Sequence, residues 1–340
     1  MTERSVLLEA SRTRRAEREA RARRARRRHR VRTSAIILAA GLLALLGLTA
    51  TVGSDPSLPR TSPPVRFHGP REPAAAGYGA GFAPAGERVT VRFAKPMRSG
   101  ALFDVDTGKL LWARRPARVL PIASLTKMMT ALVVVAHAKP DTKVLVTRQA
   151  VHFSGSGVGL LPLGKRVSLE TLLYGLLLPS GNDAAIALAQ HVAGTQRRFV
   201  AMMNSRALAM HLRCTHFSTD SGIVDRGNYS CATDLAVIAH AVLRQRVLAP
   251  IVAARDAVLP LPIKGGKLYL YNNNPLLELQ YAGTDGVKTG FTTLAGQCLV
   301  AAARRGHVWL GVVLLHSADP SGQAEKLLSA GFAALHAPRR

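Results

Sequence analysis

The sequence predicts an α+β fold in which one antiparallel sheet is built from both chain ends of a folded region and a helical region is inserted between its strands. Three observations predict it. Short strand-like runs open the folded region: VTVRFAK (Val89–Lys95), ALFDVD (Ala101–Asp106) and KLLWARR (Lys109–Arg115). Helical spacing dominates from Ser124 to about Val258. Long apolar runs then return at QCLVAAARR (Gln297–Arg305) and HVWLGVVLL (His307–Leu315). A length of 340 residues with 48 % apolar composition supplies a sizeable core and excludes a wholly disordered chain.

From the N-terminus, residues 1–32 hold 13 Arg and 4 Glu, and Thr33–Val52 (TSAIILAAGLLALLGLTATV) holds no charge. Twenty helical residues span about 30 Å, the thickness of a bilayer core. A cleavable signal has an apolar stretch of roughly 7–15 residues and a small-residue exit. Thr49–Thr51 is a poor exit, so 33–52 reads as an uncleaved transmembrane signal anchor rather than a buried core helix. Arginines flanking a span stay cytoplasmic, which places everything after Val52 outside the membrane and makes residues 1–32 a cytoplasmic tail that attracts anionic lipid. This tail carries +9 of the formal +26, so the charge does not call for a nucleic-acid partner. Residues 53–87, with 7 Pro and 6 Gly, form a semi-extended linker. The folded domain is 88–340. Its 30 Lys+Arg against 13 Asp+Glu make either a solvated basic face or an attraction to anionic polymers outside the membrane.

Within the domain, Asp106-Thr107-Gly108 supplies a hairpin turn between the second and third strands. Apolar residues recur at helical spacing over Ser124–Ala138, Ser168–Leu178, Asp183–Gly194 and Arg197–Met210. Gly306 turns the last two strands, and an amphipathic helix over about 320–335 closes the chain. Cys214, Cys231 and Cys298 lack metal-site spacing and read as buried free thiols, with a Cys214–Cys231 pair the alternative in an oxidising compartment. Eleven His occur without H-E-x-x-H or paired ligand spacing, so no metal or cofactor is expected. Gly155-Ser156-Gly157-Val158-Gly159 lacks the lysine of a phosphate loop and reads as a flexible loop near the cleft. Asp104, Asp183 and Asp285 are accounted for by a turn, a helix first turn and a loop.

Three motifs carry chemistry. In Ser124-Leu125-Thr126-Lys127, residues three apart on a helix share a face, so the Lys127 amine can reach the Ser124 hydroxyl. A serine needs a base to become nucleophilic, and a lysine serves only when its pKa is depressed. The plain alternative is an N-capping serine with an exposed lysine. Ser180-Gly181-Asn182 breaks two helical patterns, with Pro179 and Gly181 forcing a tight connection that presents two hydrogen-bonding side chains. Lys288-Thr289-Gly290, at the start of a returning strand, offers a cation and a hydroxyl to a carboxylate, with room beside the glycine. An ordinary edge strand with a surface lysine is the alternative.

These motifs stand in this order at offsets of 56 and 108 residues. Together they resemble the site of penicillin-recognising serine enzymes. With DVDTGKLLWARRPARVLPIASLTKMMTALVV, LYGLLLPSGNDAAIALAQHVAG, STDSGIVDRGNYSCATDLA and GTDGVKTGFTTLAGQCLVAAARR, the region 88–335 is similar to the serine D-alanyl-D-alanine carboxypeptidases. These are low-molecular-mass penicillin-binding proteins with a β-lactamase/DD-peptidase-like fold. The resemblance implies Ser124 as acylated nucleophile, Lys127 as its base and Ser180 in the proton network. It implies that Asn182 bonds Lys127 and the substrate backbone, that Lys288 tunes the network and that Thr289 binds the terminal carboxylate. The oxyanion would rest on the N–H groups of Ser124 and of Phe291, which follows Gly290. The implied partners are a peptidoglycan stem peptide and β-lactams as covalent inhibitors. Familiar members often add a small β-domain and a C-terminal amphipathic anchor; here the chain ends at Arg340 and the anchor is N-terminal.

Alternatives stay open at this level. A class A β-lactamase would need a deacylating Glu in an E-x-x-x-N element, whereas Glu278 is the only Glu between Asn182 and Lys288 and position 282 is Ala. The same serine chemistry could serve a DD-endopeptidase or transpeptidase acting on cross-links. A non-catalytic module that binds wall peptides or β-lactams is the third reading.

Overall fold

The computed structural model describes residues 89–336. The basic tail, the predicted span 33–52 and the linker 53–87 lie outside them. Among the described residues no helix is long and apolar enough to cross a membrane.

The elements run as follows in chain order. Strands β1 (Ser99–Asp104), β2 (Leu110–Arg114) and β3 (Leu120–Pro121) lead into a 3₁₀ turn, Ala123–Leu125, and helix α1 (Thr126–His137). Then come β4 (Lys143–Leu145), α2 (Arg148–Val151), β5 (Arg166–Ser168), α3 (Leu169–Leu177), α4 (Asn182–Ala193) and α5 (Gln196–Ala209). They are followed by β6 (Tyr229–Ser230), α6 (Ala232–Arg244), α7 (Leu248–Ala253), β7 (Asp256–Pro260), β8 (Lys267–Tyr271) and α8 (Pro275–Glu278). The chain closes with β9 (Thr284–Thr292), β10 (Gly296–Arg305), β11 (Val308–Ser317) and α9 (Pro320–His336).

One sheet of order β2-β1-β11-β10-β9 joins the two ends of the domain, and every pairing in it is antiparallel. This is the predicted α+β arrangement. Strands β10 and β11 carry long apolar runs because both faces are buried and successive side chains point to opposite faces. In β10, Val300 and Ala302 join the core shared with the helices, while Leu299, Ala301 and Ala303 join the one beneath α9. Helix α9 meets that second face with Ala324, Leu327, Leu328 and Phe332, the stripe expected of an amphipathic helix. Helix α1 differs. Its residues 126–134 are all buried, because it runs among α3, α4, α5 and α6. The polar residues of that stretch, Thr126, Lys127 and Thr130, are carried inside with the apolar ones.

Four sequence expectations are corrected. Val89–Lys95 is not a strand: it runs beside the sheet edge with one backbone bond, Val89 N–H to Leu111 O at 3.2 Å. Its alternation serves packing instead, with Val89 buried and Phe93 edge-on to Trp112 at 6.0 Å. The region read as helical to Val258 already contains β7, which pairs with β8 in a two-stranded sheet. Strand β9 starts at Thr284, so Lys288-Thr289-Gly290 lies inside it and not at its start. Cys214 and Cys231 are not free thiols. Their Cα atoms stand 5.5 Å apart and the two are joined as a disulfide. Cys298 is free and buried.

Candidate active site

Pro121 ends β3, and the chain tightens into the 3₁₀ turn that carries Ser124 before α1 begins at Thr126. Ala123 takes a φ of +48°, a left-handed conformation that sets the turn's direction. Ser124 does not cap α1, and Lys127 is not a surface lysine: it is fully buried. Its Nζ lies 3.0 Å from Ser124 Oγ, 2.7 Å from Asn182 Oδ1 and 2.8 Å from the Ser221 carbonyl oxygen. Burial, followed by the nearby Lys288 charge, lowers the Lys127 pKa well below that of an ordinary lysine; Asp220 and Asp183 pull the other way.

Ser180-Gly181-Asn182 forms the link between α3 and α4, with Ser180 at φ +70° and Gly181 N–H donating to Gly175 O at 2.9 Å. The Ser180 hydroxyl is buried without a protein partner. Asn182 opens α4, donating through Nδ2 to Ser154 O at 2.5 Å while Oδ1 takes the Lys127 amine.

Strand β9 is the sheet edge beside the nucleophile. Lys288 is 1 % exposed and donates to Thr289 O at 3.0 Å; burial brings its pKa down to about 7. Gly290 brings β9 against the 3₁₀ turn, since a Cβ there would sit 3.1 Å from Ser124 N. Phe291 presents its ring to solvent, so any role in the cleft falls to its main chain. Ser124, Ser180, Thr289, Gly290 and Phe291 line one cavity of about 500 Å³. Lys127, Asn182 and Lys288 stand buried behind them. All eight residues singled out from sequence thus lie together. A paired amine and hydroxyl beside an open cavity can form and cleave a serine ester.

Other contributors carry no side-chain signature. The Ser221 carbonyl fixes Lys127, yet a carbonyl is common to every residue. Its trace in the sequence is Gly222, at φ +74°, where a Cβ would fall 2.0 Å from Ala123 O. The loop 155–159, expected to be flexible, is instead pinned. Asp183 accepts the N–H of Val158 at 2.9 Å and of Gly159 at 3.1 Å, which fixes Ser156 in the cavity wall.

A family profile described as D-alanyl-D-alanine carboxypeptidase matches residues 94–318. The D-alanyl-D-alanine carboxypeptidase DacF of Bacillus subtilis is 32 % identical over 259 residues, covering 74 % of this chain and 66 % of its own. DacD of Escherichia coli is 38 % identical over 238 residues, covering 67 % and 60 %. The chain therefore spans between 60 % and 66 % of the length of these curated relatives. Among solved structures, the Streptomyces DD-transpeptidase superposes with a TM-score of 0.67 at 31 % identity, over 72 % of this chain and 100 % of that one. A Mycobacterium tuberculosis D-alanyl-D-alanine carboxypeptidase gives 0.66 at 32 % identity, over 75 % and 95 %. With about two thirds of its length inside the profile and the fold shared over 72 % of it with a solved member, the chain belongs to the D-alanyl-D-alanine carboxypeptidase family of serine peptidases.

Proposed function

We propose that this chain is a serine DD-carboxypeptidase that removes the terminal D-Ala of peptidoglycan stem pentapeptides through an ester on Ser124. The observation that carries the reading is the fully buried Lys127 amine 3.0 Å from Ser124 Oγ, with a depressed pKa. A neutral amine has two N–H groups and one lone pair. Asn182 Oδ1 and Ser221 O only accept, so they take the two N–H groups and turn the lone pair to the Ser124 hydroxyl. Lys127 then receives the proton as Oγ attacks the penultimate D-Ala carbonyl carbon. The oxygen that gains charge rests on the Ser124 and Phe291 N–H groups, where donors act most strongly in the transition state. The unpartnered Ser180 hydroxyl relays a proton to the departing D-Ala amine, Thr289 holds the terminal carboxylate, and Lys288 tunes the network electrostatically from behind the cavity wall. Water clears the ester. A β-lactam acylates the same serine.

The full coverage of the Streptomyces DD-transpeptidase favours a second reading, in which an amine takes the acyl group instead of water. We place the domain outside the cytoplasmic membrane, held by the span 33–52 with the basic tail inside, on the charge asymmetry of the sequence. The deciding experiment incubates the full chain with a pentapeptide, with and without an acceptor amine, and follows free D-Ala and substrate mass. Release of one D-Ala by wild type and none by Ser124→Ala is expected. Cross-linked product without net hydrolysis supports transfer, and a folded protein that neither turns over nor takes up penicillin overturns both.

A further inference from the structure

Asp220 is 1 % exposed beside the base, and the mechanism above does not use it. Its carbonyl accepts from Thr130 Oγ1 at 2.6 Å, and Thr130 lies on α1 one turn beyond Lys127. The next carbonyl, that of Ser221, takes Lys127 Nζ. The chain at 220–221 is thus fastened at two points to the helix that carries the base. Asp220 Oδ2 is buried and has no hydrogen-bond partner. Three charged side chains bear on Lys127: Lys288 on β9, Asp183 on α4 and Asp220. The Asp183 oxygens are occupied by the N–H groups of Val158, Gly159 and Ala184. Asp220 is the carboxylate with an oxygen to spare.

We propose that Asp220 is a positioning residue for acylation, its buried carboxylate serving as counter-charge to the Lys127 ammonium that forms when the amine takes the Ser124 proton. This deepens the proposed function and rests on it. As the bond from Oγ to the carbonyl carbon forms, the hydroxyl proton moves to Lys127 Nζ and the carbonyl π pair moves to oxygen. One positive and one negative charge appear in a buried site. The N–H groups of the cleft meet the anion. The cation would otherwise face Lys288, a like charge, and a low local dielectric makes that costly. Burial pushes the Asp220 carboxyl up to about 6 against the pull of Lys127. A charged Lys127 favours the ionised carboxylate, and protonation of Asp220 withdraws the counter-charge as the surroundings acidify.

The test is the rate of acylation of the full chain by a fluorescent penicillin between pH 4.5 and 9, in wild type and in Asp220→Asn, which keeps the side chain's shape. Asp220→Asn should lower the plateau rate about tenfold and move the half-maximal pH down by about one unit, because Lys127 loses an interaction that holds its proton. A purely structural role would reduce the fraction of chains that acylate and leave the midpoint in place. An unmoved midpoint at full stoichiometry overturns the proposal. Should the variant fail to fold, carboxyl-carbon NMR of labelled aspartate in wild type and Lys127→Met decides. Coupling is reciprocal, so the Asp220 midpoint must rise when the lysine charge is removed, and a stationary midpoint overturns the idea. Failure of wild type to acylate at all would instead remove the proposed function, and the NMR comparison would still judge Asp220.

Discussion

At Gly290 a hydrogen stands where a methyl group would press on the nucleophile's turn. A Cβ there would lie 3.0 Å from Ile122 O and 3.1 Å from Ser124 N, distances that force one neighbour to move by a few tenths of an ångström. Both neighbours are backbone, so the shift falls on the N–H groups proposed to hold the oxyanion. Gly290→Ala should therefore cut the acylation rate by about 10²-fold, the usual cost of a misplaced oxyanion donor. Thermal stability should stay near that of wild type. An unchanged rate in the folded variant would take the Ser124 and Phe291 N–H groups out of the proposed mechanism. Lys127→Met tests the base separately. It removes the amine and keeps a similar volume, so acylation should fall by about 10²- to 10⁴-fold while a secondary-structure spectrum is preserved. A loss below tenfold would assign the proton transfer to another group.

The disulfide acts at the scale of an element. Cys214 and Cys231 are 17 residues apart, and the segment between them carries Ser221 and Gly222, which pack against Lys127 and Ala123. Closing a loop of that length stabilises by about 3 kcal/mol through the unfolded chain. Replacing both cysteines by Ser should lower the unfolding free energy by about 2–4 kcal/mol in denaturant titration and slow acylation as the segment loosens. Equal stability with and without the pair would refute a structural role. This staple shows where sequence reading stops. Spacing along the chain says nothing about whether two cysteines come within 5.5 Å, because that depends on how β6 and α6 fold back. Side-chain periodicity did reveal α1, α3, α4, α5, β10 and β11, each within a residue or two of the observed bounds. It misled at Val89–Lys95, where alternation came from packing beside an edge, and the alternation of KLYLY in β8, with Leu268 and Leu270 buried, was not read as a strand. The site divides along the same line. Ser124, Lys127, Ser180, Asn182 and Lys288 were legible because their side-chain chemistry recurs at readable spacing. Ser221 was not, because it contributes a carbonyl. Asp220 had no partner in the sequence to give it a role.

For the whole molecule, the buried ionisable groups set how stability changes with pH. Burial lowers Lys288 from 10.5 to about 7, so between those values the unfolded chain binds more protons than the folded one. Its contribution to stability is fully present above 10.5 and is lost as the pH falls through about 7. Lys127, lowered well below 10.5, acts in the same direction. Asp220 is raised from 3.8 to about 6, so its contribution is fully present below 3.8 and is lost as the pH rises through about 6. The two signs meet near pH 6 to 7, where the folded domain carries the charges of its site with least compensation. Denaturant midpoints of the full chain should thus show a minimum there and climb towards pH 10. The slope is about 1.4 kcal/mol per pH unit for each proton held only by the unfolded chain. Lys288→Met removes one such proton and should flatten the alkaline climb while raising stability at pH 6, since a buried ammonium is replaced by an apolar chain. If the variant climbs as steeply as wild type, Lys288 is charged in the folded state throughout that range, and its proposed tuning of Lys127 would have to be a constant field.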